Sequence, residues 1–162
     1  MKSLIIVGAG EYGRLIKELA ELCGYEKIGF LGDNSELAVG KVGEYKCFEQ
    51  EYTDYIVAIG NSNIREDITN KLSSTYTLVS LVHPTAVISK SAQMEAGCVV
   101  EAQAVFHTEA KLGRGCFVNA GAVVNHNSIV ESYCQIDCNA VVAARAIVPQ
   151  KTKVASCTVW NS

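Results

Sequence analysis

Two short stretches carry residues whose type and spacing suit chemistry. The first is Gly8-Ala9-Gly10-Glu11-Tyr12-Gly13, a GxGxxG turn, with Asp33 placed 20 positions after its last glycine and followed by Asn34. Glycines let backbone amides approach a pyrophosphate at a helix N-terminus, where the helix dipole favours negative charge, and an acidic residue at that distance reaches a ribose hydroxyl. The competing reading is that these glycines only permit a tight turn and close helix packing. The second stretch is Gly60-Asn61-Ser62-Asn63, followed by Arg65. It sits where an open α/β sheet binds ligands, at the C-terminal end of a strand, and it equally fits a helix cap beside a solvated charge.

The flanking sequence supplies the elements that would hold these groups. Residues 2–7 form an apolar, strand-like run, and Leu15, Ile16, Leu19, Ala20, Leu22 and Cys23 then recur at helical spacing before Gly24. Residues 27–31 read as a second strand, so the turn lies inside a βαβ unit. A mixed segment, 39–51, reads as a loop with a short strand; 55–59 reads as a third parallel strand, 64–72 as a helix and 76–81 as a last strand. Such a half-fold is too small for a whole nicotinamide site, and a mononucleotide or nucleotide-sugar fits better.

From residue 82 the pattern changes. Val82, Ile88, Met94, Val100, Phe106, Leu112, Val118, Val124, Val130, Ile136, Val142, Val148, Val154 and Trp160 recur every sixth position, and the residue four places after each of the first thirteen is small. A period of six matches neither helix nor strand. It describes a parallel β-helix in which three short strands make a triangular coil of 18 residues. Cys98, Cys116 and Cys134 should then stack as small buried hydrophobes, Asn139 should take a left-handed corner, and Trp160 should plug one end of the prism. The expected architecture is a small Rossmann-like α/β domain over residues 1–81 followed by an all-β, left-handed β-helix over 82–162.

Composition narrows the function. A net charge of −3 and a pI near 5.6 offer no footprint for nucleic acid. No apolar run approaches the roughly 20 residues that cross a bilayer, and the glycine-rich start reads as a strand rather than a leader. Seven scattered cysteines without a CxxC pair predict no zinc, no disulfides and a reducing, cytoplasmic setting. Long flat walls on an open-ended β-helix predict a closed trimer.

GAGEYG, FLGDN, AIGNSNIR, VHPTAVIS and AGAVVNHNSIV occur in an order that resembles the bacterial sugar acyltransferases that acetylate UDP-4-amino-sugars or sialic acid, over residues 3 to 155. The resemblance implies a homotrimer that transfers an acetyl group from acetyl-CoA, as co-substrate and without a metal, to an amino or hydroxyl group of a nucleotide-linked or related sugar. It further implies that His126 is the general base and that the Ala144 amide, one coil on, is the oxyanion donor. Asn127 stands where the family commonly has an acid that orients the imidazole. Gln135 stands where amino-sugar members often carry a second histidine, and with Ala144 it makes the implied coenzyme contacts. Gly8, Gly10, Glu11, Tyr12, Gly13, Asp33, Asn34, Asn61 and Arg65 make the implied sugar-nucleotide pocket.

An imidazole ordinarily titrates near about 6.5 and so can accept a proton at physiological pH. His83, before Pro84, reads as a hydrogen-bonded boundary residue; His107 reads as structural, with a place in the same cleft as the alternative. The family normally continues its repeats beyond the position of Trp160, whereas this chain ends at Ser162. That sustains a rival expectation: a catalytically degenerate sugar-nucleotide-binding or scaffold relative.

Overall fold

The structure is a computed structural model describing residues 2–162. Two compact units result, one ending at Val79 and the other beginning at Ser80.

In the first unit, strands β1 (Ser3–Val7), β2 (Lys27–Leu31), β3 (Asp54–Val57) and β4 (Thr77–Leu78) form a parallel sheet in the order β2-β1-β3-β4. All five residues of β1 are buried, as expected for a central parallel strand covered on both faces. Helix α1 (Glu11–Leu22) joins β1 to β2, and α2 (Ser62–Leu72) joins β3 to β4. The turn between β1 and α1 explains two glycines. Gly8 has φ +116°, and a Cβ on Gly13 would stand 1.9 Å from the Gly8 carbonyl oxygen, so strand and helix approach too closely for any side chain.

The segment expected to hold a loop and short strand folds differently. Residues Val42–Phe48 form a 3-10 helix, and among the described residues the strand-like pairing nearby is a bridge between Leu31 and Gly40. Tyr45 and Phe48 turn toward the apolar cluster around Ile5, Val7, Leu31 and Tyr55, so burial rather than pairing fixes this segment.

The second unit is a left-handed β-helix of three walls, each stacked parallel at a spacing of 18 residues. The first wall comprises Gln93–Met94, Lys111–Leu112, Ile129–Val130 and Ile147–Val148. The second comprises Leu81–Val82, Val99–Val100, Phe117–Val118, Gln135–Ile136 and Lys153–Val154. The third comprises Val87–Ile88, Val105–Phe106, Val123–Val124, Val141–Val142 and Val159–Trp160. In each two-residue strand the second residue is the one that recurs in the six-residue pattern, and from Val100 to Val154 these are buried together with the small corner residues. Leu81, expected to close the first unit, already pairs with Val99, so the β-helix begins earlier than residue 82 and the last strand of the first unit is shortened to Thr77–Leu78.

Cys98, Cys116 and Cys134 stack inside the prism, and each thiol donates to a carbonyl of the following coil: Gly113 at 3.2 Å, Glu131 at 3.0 Å and Pro149 at 3.0 Å. Burial pushes the Cys98 thiol up to about 12 and raises Cys116 well above its usual range. Corners take the left-handed conformation at every sixth residue from Gly97 to Cys157, eight of them without glycine, Asn139 among them at φ 55°. Trp160 packs against the core, its indole donating to the Ile147 carbonyl at 2.9 Å. Among the described residues no helix is long and apolar enough to cross a membrane, and no group of three or more His, Cys, Asp or Glu side chains could hold a metal.

Candidate active site

One corner of the β-helix joins the third wall to the first and stacks Thr108, His126 and Ala144 in successive coils. It turns tightly because Asn127 and Arg145, the next residue in two coils, adopt φ 58° and 65°, and Ala146 donates back to Ala143 at 3.1 Å. That is a type II turn, in which Ala144 takes the second position. The coils are tied vertically: Asn127 N–H donates to the Thr108 carbonyl at 3.0 Å and Arg145 N–H to the His126 carbonyl at 3.1 Å.

Side chains fix the imidazole. Asn127 Nδ2 donates to Glu109 Oε2 at 2.6 Å, and Asn127 Oδ1 lies 3.0 Å from His126 Nδ1. A carboxylate only accepts, so the amide nitrogen must face Glu109 and the amide oxygen must face the ring. A neutral imidazole facing that oxygen has its hydrogen on Nδ1, which leaves Nε2 of the half-buried His126 as the acceptor.

Among the described residues, the first amide of a corner is capped in some hexads and uncapped in others. At three corners the amide is capped by a side chain 19 residues earlier: Glu95 caps Arg114 (3.0 Å), Glu101 caps Ala120 (3.0 Å) and Glu131 caps Gln150 (2.8 Å). At two others the preceding residue caps it: Asp137 caps Cys138 (3.0 Å) and Asn125 caps His126 (2.8 Å). Ala144 follows Ala143, which has no side-chain acceptor, and the residue 19 before it is Asn125, already bonded to His126. Among the described residues its N–H meets no acceptor. Lys90, Ala96, Ala102, Thr108, Ser132 and Ser156, at the same place in their hexads, share that condition; Ala144 is set apart by lying one coil beyond His126.

A base with a fixed free nitrogen and an unsatisfied donor on one edge can take a proton from a nucleophile while stabilising an oxyanion. On the adjoining first wall, Lys90, Gln93, Glu109, Lys111, Asn127 and Ile129 line a cavity of about 590 Å³, and Leu112, Ile129, Glu131 and Gln150 line another of about 640 Å³. Both fall in the range of small-molecule sites.

Gln135 lies on the second wall, opposite this corner, so within one chain it is not brought together with His126. His107 stacks beneath Asn125 rather than His126, and His83 Nδ1 accepts from Thr85 N–H at 3.1 Å as part of its own turn. Glu109 escaped sequence reasoning; adding or subtracting the coil length from Asn127 would have found it.

In the first unit, Gly8, Ala9, Gly10, Arg14, Gly32, Asp33, Asn34 and Ser35 line a cavity of about 460 Å³. Gly10 caps α1 without a side-chain bond, so the N-terminus of the helix meets this space at Gly10. Asp33 Oδ1 accepts from Val42 N–H at 3.2 Å, so it also anchors the 3-10 helix. Glu11 and Tyr12 lie outside the lining, and Gly13 is buried behind it. Arg14 and Ser35 were missed, and the position of Arg14 in the first turn of α1 was the available signal.

Two expected ligand contacts are employed otherwise. Asn61 caps α2, accepting from Asn63 N–H and Ile64 N–H at 3.0 and 3.1 Å. Arg65 is 1% exposed, and its guanidinium donates to the Ile59 and Gly60 carbonyls at 2.7 and 3.0 Å. Its role is to hold the β3–α2 turn, because the buried charge needs those carbonyls.

Comparison with known proteins gives the family. Residues 3–72 match the PglD N-terminal domain. A UDP-N-acetylbacillosamine N-acetyltransferase from Bacillus subtilis (strain 168) is 27% identical over 113 residues, 63% of this chain and 52% of that protein, so the chain spans about half the length of this curated relative. The acetyltransferase domain of PglB from Neisseria gonorrhoeae FA1090, solved in complex with acetyl coenzyme A, superposes with a TM-score of 0.82 at 30% identity over 98% of this chain and 87% of that one. A GDP-perosamine N-acetyltransferase variant from Caulobacter crescentus shares the fold at a TM-score of 0.77 and 20% identity, over 98% of this chain and 91% of that one. With 30% identity across nearly its whole length to a solved acetyltransferase domain, this chain belongs to the bacterial sugar acyltransferase family of hexapeptide-repeat proteins.

Proposed function

We propose that this protein transfers an acetyl group from acetyl-CoA to the amino group of a UDP-linked amino-sugar. The observation that carries the reading is the corner where His126, with Nε2 free, lies one coil before the uncapped amide of Ala144. The acetyl-CoA-bound Neisseria domain and the name of the Bacillus relative support the donor and the acceptor class. In this reading the sugar amine attacks the thioester carbonyl while His126 Nε2 takes the amine proton. Ala144 N–H donates to the developing oxyanion; the C–S bond then breaks, and the thiolate leaves with the proton returned by the imidazolium. The glycine-turn cavity of the first unit holds the nucleotide diphosphate at the N-terminus of α1, beside Gly8, Gly10 and Arg14.

The reading includes a homotrimer. Val87, Val105, Val123, Val141 and Val159 form an outward stripe on the third wall, with Val87 and Val159 61% and 63% exposed, directly beside the His126 corner. An apolar stripe of this length is suited to burial against a second subunit. Gln135, opposite the corner in its own chain, would reach coenzyme only in a neighbour's cleft. Seven free cysteines fit a reducing, cytoplasmic setting.

The test mixes the protein with acetyl-CoA and a panel of UDP-linked and GDP-linked amino-sugars and follows free thiol. Release with a UDP-linked amine, together with a sedimentation mass three times the 17.4-kDa chain, is expected. Calorimetry should also show acetyl-CoA binding in the micromolar range, about −8 kcal/mol. No binding and no thiol release would leave a sugar-nucleotide-binding scaffold in its place.

A further inference from the structure

We infer that Glu109 is a positioning residue that sets the tautomer of His126 through Asn127; this rests on the reading of His126 as the base. Asn127 is neutral, and an amide alone imposes no tautomer: turned one way it offers Oδ1 to Nδ1, turned the other it offers Nδ2. Only the first orientation leaves Nε2 able to accept a proton. Glu109, one coil below and bonded to Asn127 Nδ2 at 2.6 Å, selects that orientation because its carboxylate cannot donate. Its charge also reaches the ring through the amide dipole, favouring the imidazolium formed during transfer. Asn127 tolerates its φ of 58°, so the amide is held at the corner by backbone as well as by side-chain bonds.

The other charged groups at this corner are few. Arg145 lies in the coil above, its N–H on the His126 carbonyl, and Lys90 and Lys111 share a cavity lining with Glu109 and Asn127. All three are cations, which disfavour an imidazolium, so Glu109 supplies the negative charge on this edge.

The experiment has two arms on the full chain. In the first, the histidines are labelled with nitrogen-15 and the tautomer of His126 is read by NMR, with His126→Ala used to assign its signals. The wild type should show a protonated Nδ1. Glu109→Gln, whose own amide can donate or accept, should show a mixture of both tautomers. A wild-type ring protonated on Nε2, or a Glu109→Gln spectrum identical to wild type, overturns the inference, and this arm needs no substrate. In the second arm, Glu109→Gln should lower kcat about tenfold with little change in KM for acetyl-CoA. Its acid limb should move to lower pH, because losing a nearby negative charge makes the imidazolium easier to deprotonate. Adding Asn127→Asp places a carboxylate directly on Nδ1, so the same Glu109→Gln change should then cost less than twofold. An equal loss in both backgrounds means a structural role and refutes the relay. Full activity in His126→Ala would instead refute the base assignment, an outcome distinct from either result at Glu109.

Discussion

Replacing Ala144 with proline isolates the amide argument, because the change deletes one N–H and adds a ring at a position built to accept it. The second residue of a type I or type II turn has φ near about −60°, the value proline fixes, and Pro84 already occupies the same place in its own hexad, with Ala86 N–H donating to His83 at 2.9 Å. The deleted N–H has no acceptor in the protein, so no structural hydrogen bond is lost. Stability should hold or rise by up to about 1 kcal/mol through the stiffer unfolded chain. If that N–H stabilises the oxyanion, kcat should fall about 100- to 1,000-fold, roughly 2.7–4 kcal/mol of transition-state stabilisation. KM for acetyl-CoA should change little, since the interaction strengthens only as charge develops. The assay pairs thermal melting with thiol release under saturating substrates. A folded Ala144→Pro protein retaining more than a third of wild-type kcat would refute the oxyanion role. A variant that melts well below wild type would refute the description of the corner.

The glycine turn should separate folding from binding. Gly13→Ala would push a methyl group into the Gly8 carbonyl, so denaturant titration should show a loss of about 2 kcal/mol or more. Gly10→Ala meets nothing within 4 Å and should cost at most about 1 kcal/mol while weakening UDP-sugar binding by calorimetry; unchanged affinity would remove the diphosphate from that cavity. The Cys98 thiol should make the fold alkali-sensitive. Burial raises it to about 12 in the folded state against an ordinary 9.0, so its contribution is complete below pH 9 and is lost as pH rises toward 12. The ceiling is about 4 kcal/mol. Cys98→Ala should flatten the fall in stability measured between pH 8 and 11, and an identical slope would contradict the assignment.

The β-helix was legible because its inside admits so little: a large apolar residue and a small one per hexad, in a register that cannot slip. The unit boundary was less so. Only the second member of each two-residue strand carries the period, so Leu81, a first member that pairs with Val99, left no mark in the pattern. The 3-10 helix at Val42–Phe48 has neither helical nor alternating periodicity, and its position depends on Tyr45 and Phe48 meeting a core assembled from distant strands. At the site, sequence pointed to His126, Asn127 and Ala144 through a resemblance. What made the corner chemically interpretable was vertical: a carboxylate 18 residues before Asn127, and a corner amide whose two possible caps are an alanine and an asparagine already engaged. Conversely, Asn61 and Arg65 have suitable types in a suitable place, but backbone groups within reach satisfy them first.

The most direct measurement is single-turnover thiol release by His126→Ala alongside its affinity for acetyl-CoA. The account predicts a rate at least 1,000-fold below wild type with coenzyme affinity within about threefold, since the imidazole moves a proton and does not hold the coenzyme. Turnover close to wild type would show that the proton leaves by another route and that this corner is not the reaction centre.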